Sequence, residues 1–273
     1  MTKIKKYVII SKIKWGFGNM LEMKELAKRM NEFMIKYGRG YDALSAEDEF
    51  MWLEQSIPSY IEDYYKMAYN DPKIGESIFQ QIFAGIDGLD DKYNPFRQMV
   101  LRLEEEYGLD RDFIEVGCGF FPALAYELAK RKSELGIEKG KIIAYDAKLV
   151  TTTLSGVTLV KKNFEASTVV APDTVIIGRR PCEGTETIVR SGAANNVEIY
   201  IQLCSCESHV PKSYKLSHKP IEGQTILEMY TEEIARDTLP TGFKIEKEKV
   251  LEVVGDKPKQ QEYQTVIKTK KLR

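Results

Sequence analysis

Glu115, Gly117 and Gly119 stand together in the run EVGCG, and Asp146 closes the later run KIIAYD. Two glycines separated by one residue let a backbone turn sharply and lie close to a ligand, with the amides of a following helix behind them. Pro122 stands where a dinucleotide fingerprint carries its third glycine, and Glu115 stands where such sites usually place an apolar residue. An acid at that position suits a ligand that carries an ammonium group and no pyrophosphate. The segment Phe113 to Pro122 is therefore the primary candidate for a cofactor loop.

Other reactive side chains follow. After the run DTVIIG come Arg179, Arg180, Pro181, Cys182 and Glu183. Cys182 is a candidate nucleophile, because a neighbouring guanidinium lowers a thiol's pKa. His209 and His218 are candidate general bases, since imidazole titrates near neutrality. None of the three is singled out as catalytic. Cys118, Cys182, Cys204 and Cys206 fall at strand ends and, with His209 and His218, offer zinc-type donors. There is no CxxC pair, so the plainer reading is scattered structural cysteines, and no metal is expected.

These residues need a scaffold. The strand-like runs FIEVG, KIIAYD, VTLVKK, DTVIIG and VEIYIQLCS are short and rich in β-branched side chains. PALAYELAKRKSELG and the segment from Gly184 to Ala194 read as helices between strands, the pattern of a parallel sheet covered on both faces. The helix TILEMYTEEIARDTL precedes FKIEKEKVLEVV and EYQTVIKTK, which read as a terminal hairpin. The stretch Glu207 to Gln224 reads as a long irregular substrate-side loop. The expected fold is α/β: a doubly wound, seven-stranded, mostly parallel sheet with an antiparallel C-terminal edge hairpin and an N-terminal helical cap. Residues 1–108 form the cap, whose aromatic residues include Trp15, Phe17, Trp52, Tyr60 and Tyr64, and residues 109–273 form the ligand-binding domain.

The 273 residues carry 40 Lys and Arg against 41 Asp and Glu, a net charge of -1. So balanced a chain sets up no global field for nucleic acid or anionic membrane. No apolar run approaches the ~20 residues of a membrane helix. Four cysteines and no secretory leader pattern suit a reducing, cytoplasmic setting.

The motif E-x-G-x-G after a strand, with an acid ending the next strand, resembles the class I (Rossmann-like) S-adenosylmethionine (SAM)-dependent methyltransferases. The resemblance runs from Asp112 to the C-terminus in element order, and Phe121 departs from it where a third glycine is common. It implies SAM as cofactor, with Glu115, Gly117, Cys118 and Gly119 around the methionine part, Asp146 on the ribose hydroxyls, and Asn163 and Phe164 near the adenine. Gly178, Arg179, Arg180 and Pro181 would form the rim of the transfer site. The motif of amino-directed nucleic-acid methyltransferases is missing from that rim. PCEGTE and LCSC are similar in a few residues to RNA cytosine-C5 methyltransferases, but the glycine segment does not match them. A small-molecule acceptor is the favoured implication, with RNA as the alternative. A SAM-fold binding protein without turnover, or another SAM-using or dinucleotide enzyme, would share the same elements.

Overall fold

The computed structural model describes residues 94–271 apart from 120, 121, 150, 152, 205, 206, 208 and 254–260. The aromatic residues assigned to the cap, together with Phe121 and Cys206, lie outside the described residues.

Asn94 caps the first described helix, α1 (Pro95–Tyr107), its Oδ1 accepting from the amides of Phe96 and Arg97 at 3.1 Å each. Pro95 sits in the first turn, where its missing N–H costs nothing. Strand β1 (Asp112–Val116) leads through the glycine loop to α2 (Ala123–Glu134), then β2 (Ile142–Tyr145) and β3 (Thr158–Val160). Next come β4 (Thr174–Arg179), α3 (Gly184–Asn195) and β5 (Glu198–Gln202). Helices α4 (Lys212–Ser217) and α5 (Ile226–Thr238) precede the long hairpin β6 (Phe243–Val253) and β7 (Gln261–Lys271).

The seven strands lie in the order β3-β2-β1-β4-β5-β7-β6. The first five are parallel, and β7 runs antiparallel to both β5 and β6. The order reverses direction between β1 and β4, so a crevice opens at their carboxyl ends, where ligands of open α/β sheets sit. Phe113, Val175, Ile177 and Tyr200 face α1 and α2, packing with Met99, Leu103, Leu124 and Leu128. Ile114, Ile176, Ile199 and Ile201 face α3 and α5. Each such buried side chain contributes roughly 1.5–3 kcal/mol. Helix α1, on the N-terminal side of the expected boundary at 108, thus packs on the sheet itself.

Three extents differ from the sequence reading. VTLVKK yields only the three residues of β3, because Lys161 and Lys162 are exposed beside an edge and the amide of Lys162 turns back to the Val160 carbonyl at 2.9 Å. Strand β5 stops at Gln202 instead of running through Cys204, since its neighbour β4 ends at the paired residue Arg179. The stretch from Glu207 to Gln224 is not wholly irregular, because Lys212–Ser217 close one short helix. The antiparallel C-terminal edge hairpin forms as expected, with β7 paired to β5 and β6 as the edge.

Glu228 ties the second helical face to the sheet. It completes a capping box with Thr225 at the start of α5, and its other oxygen accepts from the Thr265 hydroxyl on β7. Glu228→Ala removes both partners at a buried position, so we expect a loss of about 1–3 kcal/mol, read as a lower denaturant midpoint at unchanged slope.

Candidate cofactor and transfer site

The run after β1 folds as it does because two of its residues lack a side chain. Gly117 and Gly119 have φ of +72° and +71°, in the left-handed region. A Cβ on Gly117 would come within 3.0 Å of the Pro181 backbone, so the glycine loop and the turn after β4 touch. Among the described residues, a Cβ on Gly119 would meet nothing within 4 Å. The amides of Gly117 and Cys118 both donate to the Tyr145 carbonyl, at 3.0 and 3.4 Å, and the Gly119 amide donates to Asp146 Oδ2 at 2.8 Å. Asp146 Oδ1 accepts from the Lys148 amide at 2.7 Å. The two motifs on the first two strands are thus one hydrogen-bonded unit at the crevice.

Glu115 is almost fully buried, and its Oε2 accepts from the Ala125 amide in the first turn of α2 at 2.9 Å. Burial pushes its pKa up to about 8; the Ala125 hydrogen bond and the charge of Arg179 oppose the rise, and the charge of Asp146 adds to it. Burial also raises the Cys118 thiol, with Glu115 and Asp146 adding to the effect, so Cys118 is not a thiolate at neutral pH. Phe164 is buried edge-on against Tyr145, with ring centroids 5.0 Å apart, while Asn163 is exposed.

On the other side of the crevice, Gly178 lies against Ile188 and Pro181 at the end of β4. The Arg179 guanidinium sits over the Phe96 ring, 4.7 Å from its centroid, at the start of α1. Arg180 and Cys182 both adopt left-handed backbone, φ +53° and +51°, around Pro181. Such conformations cost non-glycine residues about 1–3 kcal/mol each and cluster at functional sites. The Arg180 amide donates to the Gln202 carbonyl at 2.8 Å, holding the turn against the end of β5.

Among the candidate catalytic groups, Cys182 and His209 come together and line a cavity with Thr185 and Tyr230. His218 does not join them: it stacks on Tyr214 at 3.9 Å, and Tyr214 in turn meets the edge of Tyr230. Two aromatic rings therefore separate His218 from the cavity.

Gln202 was missed in the sequence. It is fully buried, and neither atom of its side-chain amide has a hydrogen-bond partner among the described residues. Glu115, Arg179 and Gln202 each follow by two residues an apolar side chain, Phe113, Ile177 and Tyr200, of the α1 and α2 face. The pleat puts all three on that face at the carboxyl end of β1, β4 and β5. Only the strand order shows that they are neighbours.

No protein-family model matches the sequence, and no curated protein does. The chain is similar to solved methyltransferases. A Listeria monocytogenes protein assigned to the class I S-adenosylmethionine-dependent methyltransferases is 11% identical, with a TM-score of 0.45, over 93% of this chain and 88% of its own. A mutant of MtNAS in complex with S-adenosylmethionine is 12% identical, with a TM-score of 0.37, over 92% of this chain and 97% of its own. Magnesium protoporphyrin IX methyltransferase from Synechocystis with bound SAH is 13% identical, with a TM-score of 0.39, over 64% of this chain and 80% of its own. Among the described residues, no helix is long and apolar enough to cross a membrane.

Proposed function

We propose that the chain is an enzyme that binds SAM across the carboxyl ends of β1 and β2 and transfers its methyl group to a small-molecule acceptor. The observation that carries this reading is the left-handed glycine pair, whose second member, Gly119, donates its amide to Asp146. It leaves a close-approach backbone beside a carboxylate whose two oxygens each keep a lone pair for a ribose hydroxyl. Glu115, Gly117, Cys118 and Gly119 would surround the methionine part. Tyr145 and Phe164 form an aromatic pair near the expected adenine position, with Asn163 beside them at the surface.

Methyl transfer from a sulfonium needs chiefly alignment and a site low in water. Arg179, held over Phe96, and the buried Gln202 amide are the polar groups we assign to positioning on the acceptor side, with Gly178, Arg180 and Pro181 shaping the rim. Residues 1–108 are proposed as a cap over this end of the sheet, and the cytoplasm as the compartment.

Calorimetric titration with SAM and with NAD tests the cofactor. SAM should bind and NAD should not, and the reverse would sink the reading. Asp146→Ala should raise the SAM dissociation constant roughly tenfold to a hundredfold, the loss of one or two hydrogen bonds to a charged acceptor. Incubation with SAM and an acceptor panel should release S-adenosylhomocysteine. Consumption of SAM without S-adenosylhomocysteine would indicate a different group transfer on the same fold.

A further inference from the structure

Cys182, Cys204 and His209 come from separate pieces of chain, the strained turn after β4 and the segment after β5, yet each presents a ligand atom within 4.8 Å of the others. The two sulfurs are 3.9 Å apart. That separation is far from a disulfide bond of about 2.05 Å. It is close to the edge of a tetrahedral zinc site, since two thiolates bound at about 2.3 Å lie about 3.8 Å from each other. We propose that these three residues form a zinc(II) site with one coordination position open to the adjoining cavity.

Four observations converge on it. The left-handed backbone at Arg180 and Cys182 swings the Cys182 side of the turn toward the end of β5, and the Arg180 amide fastens it there through Gln202. The thiolate pair and imidazole are borderline-soft donors that suit zinc. Two thiolates and a neutral imidazole balance a divalent ion, which matters because all three residues are partly buried. Finally, Cys182 and His209 line a cavity of about 230 Å³ that also holds Thr185, a buried residue whose hydroxyl has no hydrogen-bond partner among the described residues. A water on the fourth position of the metal would give that hydroxyl a partner.

The site stands beside the proposed cofactor loop, because Pro181, next to Cys182, packs on Gly117. It does not depend on that loop's ligand: metal content is measured whether or not SAM binds. Cys118, at the glycine loop, and His218, behind two rings, lie outside the cluster.

The test is elemental analysis of the full chain purified without chelator or metal-affinity resin, followed by cobalt(II) titration of the metal-free protein. One equivalent of zinc per chain is expected, as are tetrahedral cobalt bands with thiolate charge-transfer absorption. Cys182→Ser, Cys204→Ser and His209→Gln should each weaken metal binding on the order of a hundredfold, whereas Cys118→Ser should not. Because the wild-type titration needs no variant, misfolding of a variant leaves the test intact. A wild-type protein that binds cobalt without charge transfer, or a Cys182–Cys204 disulfide in anaerobically prepared protein, would overturn the site.

Discussion

Alanine at Gly119 is expected to raise the SAM dissociation constant a hundredfold or more while lowering fold stability by only about 1 kcal/mol. The stability cost is that of a side chain held at φ +71°. The binding cost has another source. Among the described residues a Cβ at Gly119 meets nothing within 4 Å, so the space it would enter is open for a ligand lying on the loop. A hundredfold corresponds to about 2.7 kcal/mol. Gly117→Ala is the companion measurement, since it shares the backbone strain but drives its Cβ into the Pro181 backbone at 3.0 Å. It should lose more stability than Gly119→Ala in the same denaturant titration, because a backbone contact cannot rotate away. If Gly119→Ala binds SAM as the wild type does, the cofactor does not lie along this loop.

The contrast between the two glycines marks how far the sequence could be read. The spacing of Glu115, Gly117, Gly119 and Asp146 identified the loop and the strand ends, because the chemistry is local and a strand-turn-helix unit fixes its geometry. The hairpin was readable as a hairpin, but not its insertion order. The charges suit that order: β6 carries Lys244, Glu246, Lys247, Glu248, Lys249 and Glu252, while β7 carries fewer, Glu262, Lys268, Lys270 and Lys271, and buries Thr265, Val266 and Ile267. Charge protects an exposed edge strand from pairing with other chains, so the more heavily charged strand lies outside. Cys182, Cys204 and His209 stood among six zinc-type donors in the sequence, but which of the six meet was out of reach for a different reason. It depends on two left-handed residues with ordinary side chains and on β5 ending at Gln202, and neither leaves a mark in residue type.

Glu115 shows the same limit in its electrostatics, and it yields the second large effect. Its carboxyl is raised from 4.5 to about 8 by burial. The folded state therefore holds a proton that the unfolded chain releases above about pH 4.5. Protein stability should fall as pH rises through the window from about 4.5 to 8, because there the native state binds more protons than the unfolded one. The full contribution of this group is present below the window and lost above it, on the order of 3–5 kcal/mol for a buried site. Glu115→Gln keeps an oxygen for the Ala125 amide and removes the titration. At pH 5 the variant should match the wild type, and at pH 8 it should be the more stable by several kcal/mol. Parallel stability curves across this range would show that Glu115 is ionised throughout. The same proton reports on the cofactor. An ammonium group brought beside Glu115 favours the carboxylate, so SAM binding at neutral pH should release a proton from the wild type and none from Glu115→Gln. Titrations in buffers of different ionisation enthalpy measure that difference directly, and equal proton release from both proteins would place the ammonium away from Glu115.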